Sequence, residues 1–159
     1  MTDKPFLLYS IFIQASPERV WQALTEAEFT REYWAGRDIQ SDWKVGSPVQ
    51  SLRRDGGVDW QGEVLEADPP YLLSYTFNML ISDAHKADPP SRVTFLLEPL
   101  GTVTKLTFKH EHADLASITS QTTQHGWPAI FSSLKSLLET GSALPFSGLG
   151  FAPGQKQDR

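Results

Sequence analysis

The chain has 159 residues, a formal net charge of −5 and no cysteine, the size of one domain with a sizeable core that needs no disulfides. The acidic balance, with no basic cluster beyond Arg53 and Arg54, excludes nucleic acid and membrane surfaces as expected partners. The missing cysteines exclude thiol nucleophiles, redox pairs and cysteine zinc sites. No apolar run approaches the roughly 20 residues of a membrane span, so a cytoplasmic location is expected.

Residues 6–13 are apolar apart from Ser10 and sit between Lys4 and Gln14-Ala15-Ser16, an arrangement that superficially matches a signal-peptide core. Their β-branched and aromatic content fits a first strand better. Ser16 can then cap a helix start, Pro17 suits the first helical position, and Val20, Trp21 and Leu24 form one inner face. Phe29 and Tyr33, four apart with Trp34 beside them, predict a second short helix.

From Ile39 the hydrophobic period moves toward two. Strands are expected at 48–54, 58–67, 71–78, 92–98 and 102–110, joined by Gly- and Pro-rich turns and by one longer connection at 79–90 that could serve as a lid. Strands in series with short turns make an antiparallel meander. Alternation places Trp60, Val64, Leu73, Tyr75, Phe77, Val93, Phe95, Leu97, Leu106, Phe108 and His110 on one face, and Asp59, Gln61, Glu63, Lys105, Thr107 and Lys109 on the other.

After the strands, Trp127, Ile130, Phe131, Leu134, Leu137 and Leu138 recur at helical spacing. Gly126 and Pro128 resist continuing a helix, so a firm start is expected near Trp127, with a kinked lead-in from about Thr119 and a C-terminal cap at Gly141. In a chain of this size such a stripe can only cover the face of a curved sheet, giving an α+β fold with one domain at 1–141 and an irregular tail at 142–159. Leu144, Phe146, Leu149 and Phe151 give that tail apolar groups that could dock.

A sheet wrapped around one helix can enclose a cavity, and the leading expectation is a binding module for a small apolar or aromatic molecule. Trp34, Trp60, Tyr75, Phe77, Phe95, Phe108, His110, Trp127 and Phe131 would line it, with Tyr75 and His110 as polar anchors. The competing expectation is that these rings simply fill the core. His110 has two readings as well, a ligand-bonding or proton-transfer group and a neutral histidine satisfied by a neighbour. If Trp127, at the rim, lines a pocket, its pocket-side surface is expected to be partly unpacked, unlike that of Leu134, two turns further along.

His110, His112 and Asp114 share parity, but the strand pattern fades near Glu111, so a metal site is set aside and His112 and Asp114 are read as solvated loop residues. No phosphate loop, dinucleotide fingerprint or Gly-x-Ser-x-Gly elbow occurs, and no cofactor is expected.

The order of elements resembles the START-like, helix-grip superfamily (SRPBCC), which includes the birch-pollen-allergen proteins and polyketide cyclases. Three stretches, PERVWQALT at 17–25, GEVLEADPPYLLSY at 62–75 and GWPAI at 126–130, look like the family named for the activator of the ninety-kDa heat-shock-protein ATPase. The likeness spans residues 5–141. It implies a helix-grip fold with a cavity between sheet and C-terminal helix. It also implies two alternative functions: a cochaperone-like protein-interaction domain with a large exposed apolar patch, or a cyclase/aromatase-like enzyme using His110 and Tyr75 for proton transfer.

Overall fold

The structure is a computed structural model, and it describes residues 4–145. β1 (Phe6–Ile13) opens the chain, followed by α1 (Pro17–Thr25) and α2 (Ala27–Tyr33). Five strands come next, β2 (Asp38–Ser41), β3 (Pro48–Leu52), β4 (Val58–Asp68), β5 (Leu72–Met79) and, after the short α3 (Asp83–Ala87), β6 (Ser91–Leu100). β7 (Val103–Glu111) and the 23-residue α4 (Ile118–Thr140) complete the described fold.

All seven strands form one sheet in the order β1-β7-β6-β5-β4-β3-β2, every neighbouring pair antiparallel. The meander from β3 to β7 is thus the expected one, and β1 closes it by pairing with the last strand, Phe6 opposite Glu111 and Ile13 opposite Thr104. The face assignment also holds, since Trp60, Val64, Leu73, Tyr75, Phe77, Val93, Phe95, Leu97, Leu106, Phe108 and His110 are all buried. Gly62 lies where β4 and β5 approach most closely, beside a shift of register between Val64 and Glu66; a Cβ there would collide with the Thr76 carbonyl.

Two features depart from the sequence reading. β2 is a further strand: with four residues and one buried apolar side chain, Ile39, it is too short for alternation to stand out. More consequentially, α4 begins at Ile118 and runs through Gly126 and Pro128 without ending. Proline removes one amide donor, which costs little here because Pro128 and Gln124, whose carbonyl loses its partner, are both exposed to water. The early start is held by two caps. Ser117 Oγ accepts from the Ser120 amide at 3.1 Å, and Asp88 Oδ2, 31 residues upstream, accepts from the Thr119 amide at 2.8 Å. The latter bond cannot be foreseen from local pattern.

At the other end Gly141 takes the left-handed conformation, φ 86°, and its amide bonds the Leu137 carbonyl, as a glycine cap does. Lys135 donates to the Phe12 carbonyl at 2.6 Å, and Glu139 accepts from the Gln14 amide at 2.8 Å, fastening α4 to the end of β1. Just beyond α4, the Leu144 amide bonds Ser133 Oγ. The docking expected of Phe146, Leu149 and Phe151 lies outside the described residues.

Candidate functional site

The nine ring residues singled out in the sequence come together at the seam between sheet and α4. α2 delivers Trp34 just past its end; β4 supplies Trp60, β5 Tyr75 and Phe77, β6 Phe95, β7 Phe108 and His110, and α4 Trp127 and Phe131. None is more than 6% exposed. Each touches another: Trp60 packs on Phe77 at 4.6 Å between centroids, Phe95 on Phe108 at 5.0 Å, and Trp34 on Trp127 at 5.5 Å. Trp127 is the hub. Its indole meets Phe108 at 4.5 Å, Phe131 at 5.6 Å, Phe77 at 5.7 Å and His110 at 5.9 Å. Trp127 and Leu134 are both shielded from solvent, at 2% and 0% exposure. Tyr9 on β1, missed in the sequence reading, extends the cluster by stacking on Phe108.

A hydrogen-bond relay crosses this apolar mass, and its donors and acceptors can be assigned. The Trp127 indole can only donate, so His110 Nδ1, 3.0 Å from Trp127 Nε1, is the acceptor. A neutral imidazole with Nδ1 accepting carries its proton on Nε2, which donates to Ser91 Oγ at 2.8 Å. Ser91 Oγ in turn donates to the Phe77 carbonyl at 2.9 Å. Burial, reinforced by neighbouring His112, pushes the His110 pKa down to about 2. Both ring nitrogens are engaged, so His110 has no free lone pair with which to take a proton. Burial also drives Tyr75 well above the ordinary tyrosine range, keeping its phenol neutral.

Beside the relay the character of the interior changes. Ahead of Trp127, the inward positions of α4 are polar: Thr119, Ser120 and Thr123 are buried where the second half carries Ile130, Phe131 and Leu134. Thr119 shares a cleft wall with His112, whose ring lies 3.9 Å from His110 between centroids and which is only 2% exposed. The sequence reading of His112 as a solvated loop residue is thus corrected. The strand runs on to Glu111, and the His112 amide bonds the Pro5 carbonyl, holding the ring on the inner face. Its shared parity with His110 was the available signal.

A cleft of about 250 Å³ opens here between the segment leading into β6 and the turn from β7 to α4, with Asp88, Pro89, His112, Ala113, Asp114 and Thr119 in its wall. Among the described residues, His112 Nε2 and Thr119 Oγ1 are buried without a hydrogen-bond partner. Desolvation lowers the His112 pKa against the opposing pull of Asp88. His85 of α3 is satisfied on both sides, by Ser82 Oγ at 2.6 Å and by Thr122 Oγ1 of α4 at 2.8 Å, so the 79–90 connection is docked on the helix. No three His, Asp or Glu residues converge as a metal group among the described residues, and no described helix is long and apolar enough to cross a membrane.

A seven-stranded antiparallel sheet gripping a long C-terminal helix, with two short helices after the first strand, defines the helix-grip class. Within it, residues 14–139 match the family described as activator of Hsp90 ATPase homolog 1-like protein, and the chain belongs to that family. Its fold is similar to the crystal structure of a Mesorhizobium loti protein, with 30% identity, a TM-score of 0.71, and coverage of 85% of this chain and 97% of that one. It is also similar to the Aha1 dimer of Colwellia psychrerythraea, at 25% identity, TM-score 0.69, and coverage of 86% and 98%. CalU16 from Micromonospora echinospora, at 17% identity, TM-score 0.67, and coverage of 86% and 77%, shares the fold. No curated protein matches in sequence.

Proposed function

We propose that the chain is a small-molecule binding module that takes an apolar or aromatic ligand between the sheet and α4. The observation that supports this reading is the continuity from cleft to ring cluster: His112 lines the cleft, touches His110, and His110 bonds Trp127 at the centre of the aromatic set. A ligand entering there meets polar side chains first and rings next, the usual composition of a small-molecule site. Because the rings touch one another, binding must turn some of them aside, so uptake is coupled to loosening of the seam. Displacement of a fluorescent apolar dye, followed by mass spectrometry of the gently purified protein, tests the reading. A co-purifying molecule or saturable dye uptake, reduced by Phe108→Ala, is expected; neither appearing would refute it.

A second reading, a cochaperone-like interaction domain, is favoured by a different observation. On edge strand β1, Phe6, Leu8 and Phe12 are 45%, 57% and 52% exposed, and Leu96 and Leu100 of β6 are exposed as well. Apolar groups on an open sheet edge invite a protein partner. The family's description as an ATPase activator points the same way. A pull-down with the ninety-kDa chaperone, lost in a Leu8→Ser/Phe12→Ser variant, is its test. The enzyme reading has no comparable support, since its base, His110, is occupied on both nitrogens.

A further inference from the structure

We infer that the cleft at the start of α4 is a binding site in its own right, for a small organic ammonium compound. The inference shares the cleft with the apolar-ligand reading but rests on its polar wall and not on the rings.

Two independent observations carry it. The first is a pair of orphaned polar atoms. His112 and Thr119 are 2% and 3% exposed, both line the cleft, and His112 Nε2 and Thr119 Oγ1 have no partner among the described residues. A buried polar group left unpaired is costly, so such groups persist where a binding partner completes them. Elsewhere in the same interior the matching is careful: His85 and His110 are each bonded at both ring nitrogens. Ser51 Oγ on β3 is also unpartnered but stands alone, whereas His112 Nε2 and Thr119 Oγ1 belong to residues that line one cleft.

The second observation is the sign of the wall. Asp88 and Asp114 both line the cleft, and no lysine or arginine does. Asp88 spends one oxygen, Oδ2, on the Thr119 amide, and Asp114 spends Oδ1 on the Ala116 amide, which fixes both carboxylates in place without neutralising either. An anion is repelled by such a wall. An ammonium group suits it, because three N–H donors can be shared between carboxylate oxygens and a neutral imidazole nitrogen. Thr119 Oγ1 can serve a neighbouring hydroxyl or carbonyl of the same ligand. Pro89 and Ala113 supply a small apolar surface. At about 250 Å³ the cleft lies below the range typical of drug-sized ligands, which limits the guest to a compact amine.

The test uses the full chain, isotopically labelled, titrated with three probes of one shape: benzylamine, benzyl alcohol and benzoate. Amide signals of Ala113, Ser117 and Thr119, and the His112 ring nitrogens observed through long-range proton–nitrogen correlation, report on the cleft. Benzylamine is expected to shift them saturably and benzoate to leave them unmoved. Asp114→Asn should weaken benzylamine binding about tenfold, the share of one charge-assisted hydrogen bond. Asp88→Asn, which keeps an oxygen to cap α4, should do the same. Should Asp88→Asn fail to fold, Asp114→Asn decides alone. Equal shifts from all three probes, a linear response to benzylamine, or binding untouched by Asp114→Asn would overturn the assignment. If an apolar dye still binds while benzylamine does not, only this site is lost.

Discussion

The two halves of α4 are built from different materials. From Trp127 onward the buried positions carry Trp127, Ile130, Phe131 and Leu134 together with Ser133; before Trp127 they carry only Thr119, Ser120 and Thr123, and Thr119 lines the cleft. The apolar half gains roughly 1.5–3 kcal/mol for each large side chain it buries. The polar half gains little from burial and is held by caps, Ser117 and Asp88, and by the bond from Thr122 to His85. One helix thus separates the work of cohesion from the work of presenting unmet polar groups, and Trp127, bonded to His110, is the boundary.

The largest test of that division is Trp127→Ala, which should cost about 3–5 kcal/mol in chemical denaturation, since the indole touches four rings from β5, β7 and the end of α2. Leu134→Ala should follow at about 2–4 kcal/mol. A Trp127→Ala cost clearly below that of Leu134→Ala would show that the seam around the indole is loosely filled, and the boundary would move toward the C-terminus.

Acid should act on the polar half. Unfolded histidine takes up a proton near pH 6.5, whereas folded His110 does so only near pH 2, so between these values the unfolded chain binds the extra proton. Stability is then fully present above about pH 6.5 and falls as the pH drops, by about 1.4 kcal/mol per pH unit for His110 alone, or ~2 kcal/mol by pH 5. His112 and His85, both lowered by burial, add in the same direction. Denaturation midpoints from pH 7.5 to 5 check this, and a flat profile would contradict the closed relay.

Trp127→Phe separates ring from relay. It keeps most of the packing but removes the donor to His110 Nδ1, for an expected loss of about 1–2 kcal/mol and a visible shift of the His110 ring nitrogens. The smallest effect has the opposite sign. Thr119→Val replaces an unpartnered hydroxyl with a methyl group of the same shape and should stabilise the fold by about 1 kcal/mol while weakening amine binding in the cleft. A loss of stability would mean that the hydroxyl has a partner in solution.

These halves were not equally legible in the sequence. Period-two and period-3.6 patterns locate whatever is held by apolar burial, so β1, α1, the meander and the stripe from Trp127 to Leu138 could be read directly. The strand rings Trp60, Tyr75, Phe77, Phe95 and Phe108 could be placed together because strand parity assigns them to one face. The first nine residues of α4 could be read only as a kinked lead-in from about Thr119, not as part of one continuous helix. Their inward side chains are polar, and the bond that secures the helix start comes from Asp88, 31 residues away. His112 illustrates the same limit: its parity with His110 was visible, but its burial depends on a backbone bond to Pro5 across the sheet edge. Pattern reports what water expels; it is silent about polar groups buried by long-range bonds.

The pairing of β1 with β7 has a consequence for how the chain is made. Phe6 lies opposite Glu111, and Lys135 reaches back to Phe12, so the first strand finds its neighbour only after more than a hundred further residues exist. Such contacts raise the mean sequence separation, and folding rates fall as that separation grows. During synthesis the hairpins from β2 to β6 can form early, while the first strand waits with Tyr9, Ile11 and Ile13 uncovered. Closure comes last, when α4 leaves the ribosome and its Lys135 and Glu139 tie the two ends of the domain together.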